Sequence, residues 1–199
     1  MSTEQIGSPA TVDASPAADK AAADKAAALP EIDGQLMRHV LGHFATGVVA
    51  ITGLDPAEGS PTGLAANSFT SVSLDPPLIA FCVAATSTSW PKVRAGQRYT
   101  VNILADSQEE ICRQLARRGP EKFDGISWEP SPSGAPVLEG CLAWMEAELE
   151  SEYPAGDHTI VVSRLRHLHA RELAPLVFFR GAYGRLSGDP EAAVTREVR

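Results

Sequence analysis

The chain lacks several things at once. Its 199 residues include three cysteines, Cys82, Cys112 and Cys141, widely spaced and without a CxxC pair. A disulfide scaffold, a zinc ribbon and a dithiol redox motif therefore lose support. Basic residues are few: 17 Lys and Arg against 25 Asp and Glu leave a net charge of −8. A phosphate-binding face for nucleic acid needs a basic stripe, and none is visible. The longest apolar run, Leu78 to Ala85, is strand-sized and far short of the roughly 20 residues of a membrane span. No basic region followed by an apolar stretch opens the chain, so a secretory signal is not expected. The expectation is a soluble, reduced protein of the cytoplasm. Three nucleotide and hydrolase signatures are also missing: GxGxxG after a strand, GxxxxGK[ST] and GxSxG.

What is present is 44% hydrophobic and 21% charged, an ordinary globular balance. Residues 1–32 form an Ala/Pro-rich leader without aromatics, in which Ala-Asp-Lys-Ala-Ala-Ala nearly repeats. Such a segment buries too little apolar surface to offset its ordering entropy, so disorder is expected there. Residues 188–199 are polar and read as a frayed tail. The domain itself is expected over 33–187. Asp33 can cap a helix carrying Leu36, Val40 and Phe44 on one face, ended by Thr46-Gly47. β-type runs follow at Val48 to Thr52, Leu78 to Ala84 and Tyr99 to Leu104. Asp106-Ser107-Gln108-Glu109 reads as a capping box opening a second helix, with Ile111 and Leu115 inward. From Cys141 to Leu149 small and apolar residues alternate with Trp144, Glu146 and Glu148, a strand with those three outward. Ile160 to Leu168 and Leu176 to Tyr183 add more strands. Short strands divided by Gly/Pro turns, with two short helices, point to a small antiparallel barrel rather than a βαβ fold.

His39 and His43 have metal-sharing spacing but no third ligand, and His167 and His169 share a strand face, so no metal site is expected. Asn67, Ser68, Thr70, Ser71 and Ser73 crowd seven positions before a double proline. Hydroxyls so dense suit a polar ligand edge better than a core strand, because buried hydroxyls need partners. Thr86-Ser87-Thr88-Ser89 with nearby Lys92 makes a possible phosphate cradle, or simply a Ser/Thr-rich turn. Gly156-Asp157-His158 before a strand is either a turn or a His–Asp pair.

These segments, in order, resemble the short-chain flavin reductase family, the reductase halves of two-component flavin monooxygenases. The matching residues are Phe44-Ala45-Thr46-Gly47-Val48 and Asn67 through Pro77, then Val101-Asn102-Ile103-Leu104 with Gln108. Lys122-Phe123, Trp128, Gly156-Asp157-His158 and Tyr183 complete the set. The likeness covers about Leu36 to Leu186. Leu115 and Ala147 depart from it, standing where the family commonly has Phe and often Cys. The resemblance implies a mainly β, Greek-key, FMN-binding split barrel, usually a homodimer with flavin near the subunit interface. It implies that Asn67, Ser68, Phe69, Thr70, Ser71 and Ser73 line the flavin ring and ribityl chain. Cys82 and Val83 would offer backbone contacts, Ser87 and Thr88 would hold phosphate, and Asn102 would lie close by. Gly156, Asp157 and His158 match the nicotinamide-binding motif, with Tyr183 as a neighbour.

The expected reaction is hydride transfer from NADH or NADPH to FAD or FMN, feeding a partner monooxygenase. Such chemistry asks for stacked rings, excluded water and hydrogen bonds to the flavin edge rather than acid–base groups. His158 is then expected to position the nicotinamide or its phosphates. The alternatives are a non-catalytic flavin-storage protein and a split-barrel oxidase that keeps its flavin.

Overall fold

A computed structural model describes residues 31–119 and 121–186. The expected leader, apart from its last two residues, and the expected C-terminal tail lie outside the described residues. The chain divides between Val40 and Leu41 into two compact units. In the first, Asp33 Oδ1 accepts the amides of Gln35 (2.9 Å) and Leu36 (2.7 Å), the cap read from the sequence. The helix it starts, α1, runs Gly34–Leu41, so Phe44 lies beyond it. Thr46–Gly47 is not a helix stop but strand β1, paired with Phe178 and Val177.

The second unit is built from short strands: β2 (Val49–Leu54), β3 (Pro61–Ala66), β4 (Thr70–Leu74), β5 (Pro77–Ala84) and β6 (Arg98–Ile103). They are followed by β7 (Trp128–Pro130), β8 (Pro136–Leu138), β9 (Ala143–Ala155) and β10 (His158–Ala170). β11 (Leu176–Phe179) and β12 (Ala182–Arg185) close the series. The main sheet has the order β3-β2-β6-β9-β10-β5-β4 with every neighbouring pair antiparallel. β1-β11-β12 and the β7-β8 pair form two smaller sheets. The mainly β class is the one expected.

β2 shows why the sheet curls around a core, since it is apolar on both faces. Val49 and Ile51 point into one cluster with Ile79, Phe81, Tyr99 and Val101. Val48 and Ala50 join a second, with Leu104, Leu115, Leu138 and Leu176. The first cluster is pinned by Phe81, Trp90 and Tyr99, each ring edge-on to the others at 5.4 to 6.3 Å.

The helices differ from expectation in two places. A short helix not read from the sequence, α2 (Trp90–Ala95), follows the Thr/Ser cluster. Pro91 in its first turn presets φ, and Trp90 and Val93, three apart, both reach the core. The later helix, α3 (Glu109–Ala116), is preceded by one 3-10 turn, Asp106–Gln108. There the Gln108 side chain accepts the Ala105 amide at 3.0 Å, so the cap begins one residue earlier than read. Cys112 and Leu115 are the buried pair, while Ile111 is only half-buried.

Two residues expected at water or at ligand are instead locked inside. Glu146, expected outward on β9, is fully buried because the 131–135 loop covers that face. Its carboxylate accepts Ser131 Oγ (2.6 Å) and the Ser133 amide (2.9 Å), with Arg98 at 3.4 Å. Burial alone would push its pKa up, yet the hydrogen bonds from Ser131 and Ser133 hold it below the ordinary carboxylate value. Asn102 sits in the same layer. Its amide donates to Ala50 O and Thr52 Oγ1, and its oxygen accepts the Leu138 amide at 2.9 Å. The Thr52 and Thr100 hydroxyls reach the Pro136 carbonyl. Asn102, expected close to the flavin, is buried with its amide spent tying the β7-β8 hairpin to the barrel wall.

Candidate functional site

The site begins where β5 loses its outer partner. β4 pairs with β5 only as far as Ala80, which faces Thr70. Two residues on, Ser68 takes over the role of the missing strand. Its hydroxyl accepts the Cys82 amide at 2.9 Å and donates to the Cys82 carbonyl at 3.2 Å. One side chain therefore satisfies both peptide groups that a neighbouring strand would have satisfied. Beyond it a cleft of about 360 Å³ opens between the end of β3 and the end of β5.

The cleft wall mixes three kinds of group. Leu64, Ala65, Ala66 and Leu115 make it apolar; Asn67, Ser68, Ser87 and Thr88 supply uncharged hydrogen-bonding groups; Arg117, Arg118 and Lys122 bring positive charge. Ser87 is fixed by its own turn, its amide donating to Ala84 O (2.9 Å) and its hydroxyl accepting the Trp90 amide (3.2 Å). Lys122 Nζ is 3.0 Å from Ser89 Oγ, and burial pulls its pKa below the ordinary lysine value. Among the described residues no carboxylate pairs with Arg117, Arg118 or Lys122. The cation expected at this end was Lys92. It instead lies 2.8 Å from Asp55 Oδ2, whose carboxyl it holds below the usual range.

His158 stands at the mouth of the cleft, first residue of β10 and register partner of Ala84. The β9–β10 loop before it is two residues long. Gly156 takes φ +65°, as the first position of a II′ turn requires, and Asp157 follows. The Asp157 carbonyl accepts the Ala85 amide (2.9 Å), and its carboxylate Oδ1 is 2.8 Å from His158 Nδ1. That bond holds the Asp157 carboxyl below its ordinary range. Gly156 and Asp157 form the turn, Asp157 holds the His158 ring, and neither lines the cleft.

Seven of the residues read from the sequence come together on this wall: Asn67, Ser68, Cys82, Val83, Ser87, Thr88 and His158. Asn67 is the hub, because two smaller clefts also meet it. One, of about 140 Å³, holds Tyr183 and Cys112. The Tyr183 hydroxyl is 3.2 Å from Cys112 Sγ and Arg113 stacks on its ring at 4.7 Å. Burial, reinforced by the Cys112 contact, pushes the Tyr183 phenol up to about 12. The other, of about 310 Å³, brings Phe69 and Thr46 beside Asn67. Thr70, Ser71 and Ser73 line none of these clefts; they ride on the edge strand β4, Thr70 and Ser71 in the open. Arg117, Arg118 and Lys122 carry the charge of the site and were not read as site residues. In the sequence, Lys122-Phe123 belongs to the family resemblance, and nothing local marks the two arginines. No group of three or more potential metal ligands occurs among the described residues.

Apolar side chains, neutral hydroxyl and amide groups and cations lining one cleft are the three kinds of group that the ring, ribityl chain and phosphate of a flavin mononucleotide unit ask for. The chain belongs to the flavin reductase-like family, whose model, "Flavin reductase like domain", matches residues 41–187. The fold is that family's split barrel, and the protein is a flavin reductase. It is 45% identical over 154 residues to a flavin reductase of Pseudomonas putida, covering 77% of this chain and 90% of that protein. Among solved structures it is similar to nitrilotriacetate monooxygenase component B of Mycobacterium thermoresistibile, with TM-score 0.75 and 38% identity over 83% of this chain and 92% of that one. It is also similar to the NADH:FAD oxidoreductase SgcE6 of Streptomyces globisporus, solved with NAD and FAD fragments, with TM-score 0.74 and 31% identity over 81% of this chain and 99% of that one.

Proposed function

We propose that this flavin reductase takes its electrons from NADH or NADPH and releases reduced flavin, FAD or FMN, to a separate flavin-dependent monooxygenase. The observation that carries the reading is one cleft lined together by apolar side chains, neutral hydroxyl and amide groups, His158 and three cations that no carboxylate pairs with among the described residues. Flavin, when bound, supplies the hydride-accepting ring; the chain supplies everything else. Leu64, Ala65, Ala66 and Val83 exclude water from one stretch, and Asn67 offers a neutral donor and acceptor where negative charge would develop. Ser87, Thr88, Arg117 and Lys122 hold phosphate. His158, oriented by Asp157 and with its side chain 46% exposed, positions the nicotinamide donor rather than moving a proton. With no dinucleotide domain, the donor rests shallowly on the cleft, and a flavin that must leave as product binds only in the micromolar range.

The same reading makes the protein a homodimer working in the cytoplasm. Support for the dimer comes from β4, a sheet edge that exposes Val72 and Leu74. Support for the compartment comes from three cysteines that are all free.

The test is nicotinamide oxidation by purified protein without flavin, with FMN and with FAD. Turnover that saturates with added free flavin is expected. No turnover with either flavin, despite a retained yellow cofactor, would replace this reading by a storage protein or a dedicated oxidase.

A further inference from the structure

We propose that Glu152, which lies outside the flavin cleft, is a positioning residue that keeps the Ser87-Thr88 turn in place by holding the indole of Trp90. The proposal deepens the reading above and rests on it, because that reading gives the turn the task of holding phosphate. Trp90 opens α2 directly after the turn and is 6% exposed, its ring edge-on to Phe81 and to Tyr99, each at 5.4 Å. An indole so deeply buried has one N–H to satisfy, and a donor orphaned inside is costly. Glu152 on β9 satisfies it: Oε1 accepts Trp90 Nε1–H at 2.7 Å, while Oε2 accepts Arg94 Nη1–H at 2.6 Å.

The same Trp90 is tied to the cleft wall through its backbone, its amide donating to Ser87 Oγ at 3.2 Å. Two hydrogen bonds thus link β9 to Ser87, with Trp90 between them. Glu152 lines no part of the main cleft; it lines a recess of about 270 Å³ that shares Val83, Ala84 and Ser87 with it. Trp90 and Arg94 belong to that recess as well. Without the carboxylate, the indole N–H is drawn toward the recess to reach water, and Ser87 moves with it. Arg94 is the lesser partner. Its side chain is 49% exposed, and solvent screens an ion pair of that kind to little worth.

The test is the Kd of FMN and of riboflavin, which has no phosphate, read from flavin fluorescence on the full-length protein. Wild type is expected to bind FMN at least about tenfold more tightly than riboflavin. Glu152→Ala should weaken FMN about tenfold and riboflavin less than about twofold, since only the phosphate-holding turn is displaced. Glu152→Gln keeps an oxygen for the indole and should return FMN to within about threefold of wild type. Arg94→Ala should stay within about twofold. In a Trp90→Phe background, with no indole N–H to hold, Glu152→Ala should change the FMN Kd less than about twofold. An FMN Kd unmoved by Glu152→Ala, an equal loss of riboflavin, a Gln variant as weak as the Ala one, or a full loss in the Trp90→Phe background would each overturn the assignment. A raised NADH KM with FMN affinity intact would overturn it too, giving Glu152 to the His158 hairpin. Equal binding of FMN and riboflavin by wild type would remove the phosphate reading beneath the proposal, and failure to bind either would sink the flavin-reductase reading itself.

Discussion

At the scale of single residues, the site depends on where each hydroxyl and amide is spent. Asn67 and Asn102 look equivalent in composition, yet Asn67 opens onto three clefts and Asn102 has donor and acceptor both committed inside. Ser68 lines the cleft, but its hydroxyl is committed to Cys82. His158 is different, since Nδ1 is held by Asp157 and the ring is otherwise open to the cleft mouth. His158→Ala is therefore expected to raise the nicotinamide KM about tenfold, the worth of one hydrogen bond to a charged partner. Flavin Kd should move less than about twofold, because the apolar wall and the cationic end are untouched. Steady-state kinetics beside a flavin titration checks this, and loss of flavin with KM unchanged would refute it.

At the scale of elements, the β7-β8 hairpin is held to the barrel by polar contacts on β2, β6 and β9 rather than by apolar packing alone. Glu146 is the charged member of that layer, accepting from Ser131 and Ser133. Its native pKa lies below the ordinary value of 4.5, so its share of stability is fully present above that pH. That share disappears as acid carries the pH down through the lower native value. Glu146→Gln keeps the shape and removes the charge. It should cost about 1–3 kcal/mol near neutrality, with the gap to wild type narrowing below about pH 4.5. Urea denaturation of both proteins between pH 7 and 3 measures it. A gap independent of pH would show that the carboxylate charge contributes nothing.

At the scale of the whole molecule, the split barrel leaves β4 as an edge. Val72 is half-exposed and Leu74 almost fully so, an arrangement a lone monomer normally avoids. Light scattering should therefore give about twice the 21.1 kDa of one chain. Val72→Asp with Leu74→Asp should shift it toward monomer. A wild-type protein that is monomeric at micromolar concentration would refute the dimer.

Much of this was legible in the order of residues. The strands could be read because period-two alternation and Gly/Pro turns are local properties, and the cap at Asp33 is a contact between residues two and three apart. The hydroxyl clusters and Gly156-Asp157-His158 could be read because chemistry so concentrated has few purely structural uses. Other features needed the chain to close on itself. Glu146 and Asn102 looked outward or ligand-facing until a hairpin more than 30 residues away from Asn102 covered them. Thr70, Ser71 and Ser73 seemed to belong with Asn67 by adjacency, but a strand one edge removed carries them away from the cleft. Arg117, Arg118 and Lys122 join the cleft only because α3 and the turn at Glu121–Phe123 pack against β3. Local sequence determined which segments are strands and which residues carry chemistry; tertiary closure decided which of them share a cavity, because burial and charge pairing depend on neighbours distant in the chain.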